Sequence, residues 1–146
     1  MVIAAACAAC GNTSAENAEL AKQPLAGGSA RIKIYRTEDL IAAGGGARIK
    51  LNGKQIADMG IGGSLLKDVP AGSHQIVVDH WGHPNVYAIT LKAKPGMFYT
   101  LEVSPRVEAA IAGGLFGLAG GLVEAAVNEN GGPYQIKVVD AKPLGR

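Results

Sequence analysis

From Ala30 onward, apolar and polar residues alternate in short runs separated by glycine and proline, and that period of two predicts strands. The runs are Ala30 to Arg36, Ala47 to Leu51, Lys54 to Met59, Ser64 to Asp68, Ser73 to His80, Val86 to Lys92 and Met97 to Val103. Asn52-Gly53 stands between the second and third runs. Both central residues of a type I′ turn need positive φ, and this dipeptide supplies it most cheaply, so a two-residue hairpin is expected there. In an unbroken register Ile49 pairs with Ile56 and Lys50 with Gln55, which puts Ile49, Leu51 and Ile56 on one face. Pro70-Ala71-Gly72 and Lys94-Pro95-Gly96 mark further corners, and Tyr134, Ile136 and Val138 alternate as a closing strand over 134–140. Such spacing is that of an all-β sandwich or barrel.

Two segments lack this texture. Residues 11–29 are small and polar, ending in Pro24-Leu25-Ala26-Gly27-Gly28-Ser29, and are expected to be a flexible tether. Residues 106–128 are glycine-rich and apolar, with no charge between Glu108 and Glu124. As a helix the uncharged run 109–123 spans only about 22 Å, against the roughly 30 Å of a hydrocarbon core, so it is a poor membrane span. Gly113, Gly117 and Gly121 recur every four residues and would form one flat groove open to another backbone. Each glycine costs a helix interior about 0.8–1.0 kcal/mol relative to alanine, so a contact must compensate. The expectation is a helix or helical hairpin packed on this chain's own sheet. The alternative is self-association through that groove into a membrane-associated homo-oligomer.

The N-terminus carries the clearest address. Val2-Ile3-Ala4-Ala5-Ala6-Cys7-Ala8-Ala9-Cys10 is apolar and small, and a polar stretch follows at once. Residues 1–10 look like a truncated lipoprotein signal peptide with its lipobox. Cys7, with Ala4 to Ala6 before it, is the preferred lipidation site and Cys10 the alternative. Nine residues precede Cys10 and none is Lys or Arg, whereas a secretory signal needs a basic start, so the start codon is expected upstream. Both cysteines belong to this leader, so residues 30–146 are expected to fold without a disulfide. This reading places the protein in the bacterial cell envelope, at the periplasmic face of the outer membrane, held by N-terminal lipid.

Further along, Ala30-Arg31-Ile32-Lys33-Ile34-Tyr35-Arg36, Leu51-Asn52-Gly53-Lys54, Val69-Pro70-Ala71-Gly72-Ser73-His74 and Gly96-Met97-Phe98-Tyr99-Thr100-Leu101-Glu102-Val103 together resemble an uncharacterised family of small bacterial lipoproteins, domain-of-unknown-function family 2846. The likeness covers residues 30–103 and rests on motif order. It implies a β-sandwich and no reaction, ligand or functional residue. The expected fold is therefore mainly β, an antiparallel β-sandwich of about seven to eight strands with the glycine-rich helix packed on it.

Charge and motifs narrow the function. The 14 Lys and Arg are scattered among 12 acids for a formal charge of +2, which offers no basic stripe to a nucleic acid. No nucleophile elbow, zincin helix or Walker loop is present, since Gly53-Lys54 continues with Gln55. No catalytic residue and no cofactor is assigned. The expected role is a non-catalytic structural or interaction module for an envelope protein or cell-wall component.

His80 and His83, with Asp79 nearby, are the residues a metal would use. His74 and His80 are six positions apart, about 20 Å along a strand, too far for one ion. Asp79 points to the opposite face from His80, and His74 is expected to fix the Pro-Ala-Gly corner. A structural role for these histidines is the commoner outcome. Zinc added to a soluble form beginning at Gly11 is accordingly expected to leave its thermal midpoint unmoved, and an upward shift would restore the metal reading.

Overall fold

The computed structural model describes residues 14–38, 45–80, 86–105, 123–125 and 134–145. Among them one helix, α1 (Ser14–Lys22), precedes nine strands: β1 (Ser29–Arg36), β2 (Ala47–Leu51), β3 (Lys54–Met59), β4 (Ser64–Pro70), β5 (Gly72–His80), β6 (Tyr87–Ala93), β7 (Met97–Pro105), β8 (Val123–Ala125) and β9 (Tyr134–Pro143). The strands make two sheets, β4-β1-β7-β9 and β3-β2-β5-β6-β8. The chain is mainly β.

Their inner faces feed one core. Ile32 and Ile34 of β1, Leu101 and Val103 of β7 and Ile136 of β9 meet Ile49 of β2, Ile76 of β5 and Leu91 of β6 in a single buried cluster. Each such side chain contributes about 1.5–3 kcal/mol by leaving water. Tyr99 is fully buried as well, and its hydroxyl accepts the Lys94 N–H at 2.9 Å, which pins the Lys94-Pro95-Gly96 corner.

Three features depart from the sequence expectation. First, β1 pairs antiparallel with β4 but parallel with β7, so the four-stranded sheet is mixed and not antiparallel throughout. A parallel pair needs a long crossover, and β2 to β6 all lie between these partners in sequence. Second, the hairpin register breaks. Lys50 faces Gln55, but Ile49 faces Ala57, leaving Ile56 as an extra residue. The unbroken register would turn Asp58 toward the core; the bulge sends Ala57 and Met59 inward instead and keeps a carboxylate out of an apolar interior. Third, residues 14–22, expected within the flexible tether, form α1.

The same parity correction recurs on β9. Leu101 faces Val138 and Thr100 faces Asp140, so Val139 is extra and stands exposed. It allows Ile136 and Val138 on one side of the bulge and Ala141 on the other to reach the core. Val123, expected in the glycine-rich helix, begins β8, which pairs with β6. The rest of that helix lies outside the described residues.

The Asn52-Gly53 turn adopts the expected positive φ, 50° and 83°. Asn52 also works as a connector, because its Oδ1 accepts the Gln75 N–H at 2.9 Å and its amide nitrogen lies 2.9 Å from His74 Nδ1. His74 Nε2 lies 2.6 Å from the Pro70 carbonyl. A carbonyl only accepts, so Nε2 carries the proton and Nδ1 accepts from Asn52. His74 thus fixes the Pro70-Ala71-Gly72 corner and ties it to the neighbouring hairpin. Asn52→Ala removes two hydrogen bonds and the residue type that tolerates this φ. It is expected to lower stability by about 1–3 kcal/mol in urea unfolding, with Lys54→Ala near neutral as the control.

Candidate functional site

The outward face of the four-stranded sheet is built in rows by the register. Asp68, Arg31, Phe98 and Lys142 stand side by side, then Leu66, Lys33, Thr100 and Asp140, then Ser64, Tyr35, Glu102 and Lys137. Each row draws one residue from each strand, so partners distant in sequence become neighbours.

In the first row Arg31 is 2% exposed and holds Asp68 through two bonds, Nε to Oδ1 at 2.6 Å and Nη2 to Oδ2 at 2.9 Å. Its Nη1 donates to the Gln23 carbonyl at 3.0 Å. The guanidinium therefore fastens the segment after α1 onto the sheet, and the hydrogen-bonded Asp68 pushes its pKa further up. In the third row Tyr35 donates to Glu102 Oε2 at 2.7 Å, while Lys137 Nζ sits 2.9 Å from Oε1. Burial pushes the Glu102 carboxyl up, but Lys137 and Tyr35 together outweigh it and hold it below the ordinary carboxylate value.

Helix α1 lies over the edge of this face. Asn17 donates from Nδ2 to the Ser64 carbonyl at 3.0 Å and accepts the Leu66 N–H on Oδ1 at 2.9 Å. No residue of α1 is buried, and this carboxamide ties it to β4 through two hydrogen bonds. Beside it a groove of about 360 Å³ runs between helix and sheet, lined by Ala18, Ala21, Leu66, Phe98 and Leu144 together with Arg31 and Lys33. The lining is largely apolar. A groove of this kind accommodates a chain-like apolar group.

Two further polar clusters are structural. On the outward face of the other sheet, Asp79 binds Arg48 at 3.0 Å and Lys50 at 3.1 Å. Burial raises the Asp79 carboxyl, and the two cations bring it below its usual value. At one end of the core Arg36 donates to the carbonyls of Gly45 and Met59, each at 2.8 Å, and to the Tyr134 hydroxyl at 2.7 Å, with its guanidinium 4.7 Å from that ring. His80 completes this end, its ring 5.6 Å from that of Tyr134. Gly45 has φ +148°, and a Cβ there would come within 2.9 Å of His80 Nε2.

Of the residues singled out from sequence, Cys7, Cys10, His83, Gly113, Gly117 and Gly121 lie outside the described residues. His80 shares the inward face of Ile76 and Val78 while Asp79 points outward, as the strand period requires. Among the described residues no three His, Cys, Asp or Glu side chains group as metal ligands, and no helix is long and apolar enough to cross a membrane. Arg31, Asp68 and Asn17 were not foreseen. Arg31 alternates with Ile32 as any exposed strand residue does, and its partners stand 8 and 37 positions away.

No family model matches the chain, and no curated protein matches it. Resemblance to the lipoprotein family therefore rests on motif order alone. Among solved structures, the N-terminal domain of AlgF from P. aeruginosa matches with 20% identity over 54% of this chain and 84% of that one, at a TM-score of 0.36. At that score the likeness carries no argument.

The Tyr35, Glu102 and Lys137 trio makes stability depend on pH at both ends. Glu102 has a lowered value when folded, so its contribution is full above the ordinary carboxylate pKa and fades as pH falls through the folded one. Tyr35 is pushed up from 10.0 to about 12, chiefly by its bond to Glu102, so its contribution holds below 10.0 and is lost as pH climbs toward 12. Glu102→Gln is expected to flatten the acid limb of urea-unfolding stability and to return the late tyrosinate absorbance step to the ordinary tyrosine range.

Proposed function

We propose that this chain is a lipid-anchored module of the bacterial cell envelope, a β-sandwich that binds an envelope protein or cell-wall component and catalyses nothing. The observation that carries this reading is the run of small residues before Cys7 and Cys10, followed directly by a polar stretch that leads to the folded part. A lipoprotein cysteine carries several acyl chains, and more than one chain makes anchoring firm.

Geometry supports the non-catalytic part. Asp68, Asp79 and Glu102 are each neutralised by cations within their own sheet rows, which is how strand-surface charges are arranged when they hold a fold. The concavity beside α1 is walled by apolar side chains, as a contact surface is.

Replacing both cysteines, Cys7→Ser with Cys10→Ser, is the direct test. The double variant is expected to leave the membrane fraction and appear in the soluble fraction of the envelope, while the parent chain sediments with membranes. Full membrane partition of the double variant would overturn the anchoring assignment.

A further inference from the structure

We propose that the outward edge of β4, from Ser64 to Asp68, is a docking edge for an extended partner polypeptide, and that α1 is the latch that covers it. This deepens the interaction-module reading by naming a surface and a partner class, and it rests on that reading.

β4 is an edge strand, with β1 as its neighbour on one side. In an antiparallel pair every second residue turns its N–H and C=O away from the neighbour. Because the Leu66 N–H and the Ser64 carbonyl meet Asn17, the outward set is Ser64, Leu66 and Asp68. Pro70 has the same parity but no N–H, which closes the edge at that end.

Asn17 presents to this edge one donor and one acceptor on a planar amide. A neighbouring strand would present the same pair of groups. The side chain therefore stands in for the N–H and C=O of one residue of a parallel neighbouring strand, and an incoming backbone that supplies both can exchange for it at Leu66 and Ser64. Helix α1 is suited to leave: it has nine residues, none of them buried, and helices shorter than about 12–15 residues are marginal alone.

The surroundings state what the strand should carry. On the outward side, alternate side chains would stand beside Leu66, over the apolar surface that Ala18 and Ala21 of α1 otherwise cover. On the other side stands Lys67, which shares the parity of the core residues Leu65 and Val69 and makes no ion pair among the described residues. Main-chain bonds supply affinity in strand addition and alternate side chains supply specificity. The partner is thus a strand with apolar residues on one face and an acidic residue on the other, set against Lys67.

A short capped peptide of alternating Val and Thr, with Glu replacing the central Thr, is the probe, and its Lys counterpart the control. Both are titrated by fluorescence anisotropy against the full chain. Asn17→Ala unlatches α1, so the Glu peptide is expected to bind it about tenfold tighter than the parent, because a covered site binds in proportion to its open fraction. The Leu66 amide should exchange faster in free Asn17→Ala and be protected again by the peptide. Lys67→Glu should reverse the preference between the two peptides, and Lys67→Arg should keep it. Ser64→Pro, which removes one edge N–H from an exposed side chain position, should abolish binding with the thermal transition retained.

Equal binding of the Glu peptide to the parent and Asn17→Ala would overturn the proposal, as would indifference to Lys67→Glu. Dimerisation of Asn17→Ala without peptide would assign the edge to a second copy instead. Membrane partition of the double cysteine variant reads anchoring separately, so failure of this proposal and failure of the anchoring assignment are told apart.

Discussion

A strand flanked on both sides has no slack in its alternation, and β1 is held between β4 and β7 along its length. Ala30, Ile32 and Ile34 enter the core fully buried, so Arg31, Lys33 and Tyr35 have to stand on the other face. A slip of one residue would drive a guanidinium into the apolar interior, at a cost of several kcal/mol for an unpaired charge. Everything built on the outward face follows from this. Arg31 reaches Asp68 and Gln23, Tyr35 reaches Glu102, and the segment that follows α1 is tied down by the same guanidinium. Arg36 ends the strand on the inward side, where backbone carbonyls and the Tyr134 hydroxyl replace the water it gives up.

The two bulges answer the same demand elsewhere. Ile56 on β3 and Val139 on β9 each add one residue where strict alternation would have turned Asp58, or the far half of β9, the wrong way. They also bend two edge strands and break their regular pairing surface. β4 keeps a regular edge, and there the chain lays a helix across it.

Strand positions were legible because the period of two is local. β2 and β3 begin and end where the alternation does, and the turn between them follows from Asn52-Gly53. The bulges were not legible, since they depend on which residues the facing sheet will accept. Nor was the parallel pairing of β1 with β7, which joins segments that alternate no differently from antiparallel ones. α1 escaped for a further reason: Ser14–Lys22 has no buried residue, and its Asn17 carboxamide reaches an edge almost fifty positions away. Of the candidate surface, the apolar and cationic residues were visible as strand residues. Their assembly into a groove was not.

The corner at Gly96 joins both ends of the described fold. Its N–H donates to the Ser29 carbonyl, and its own carbonyl accepts the Leu144 N–H, so the start of β1 and the tail after β9 meet at one pole. A force from the N-terminal side first meets the Asn17 and Gln23 fastenings; past them it enters at Ser29 and runs along β1. The ladders to β4 and β7 then bear it together, across seven paired positions on one side and six on the other. Rungs strained side by side fail together, whereas rungs peeled from an end fail singly, so a pull along β1 meets a higher barrier than one that peels the ladder open. Under the proposed N-terminal anchoring, the strand that organises the core is also the one that takes the pull.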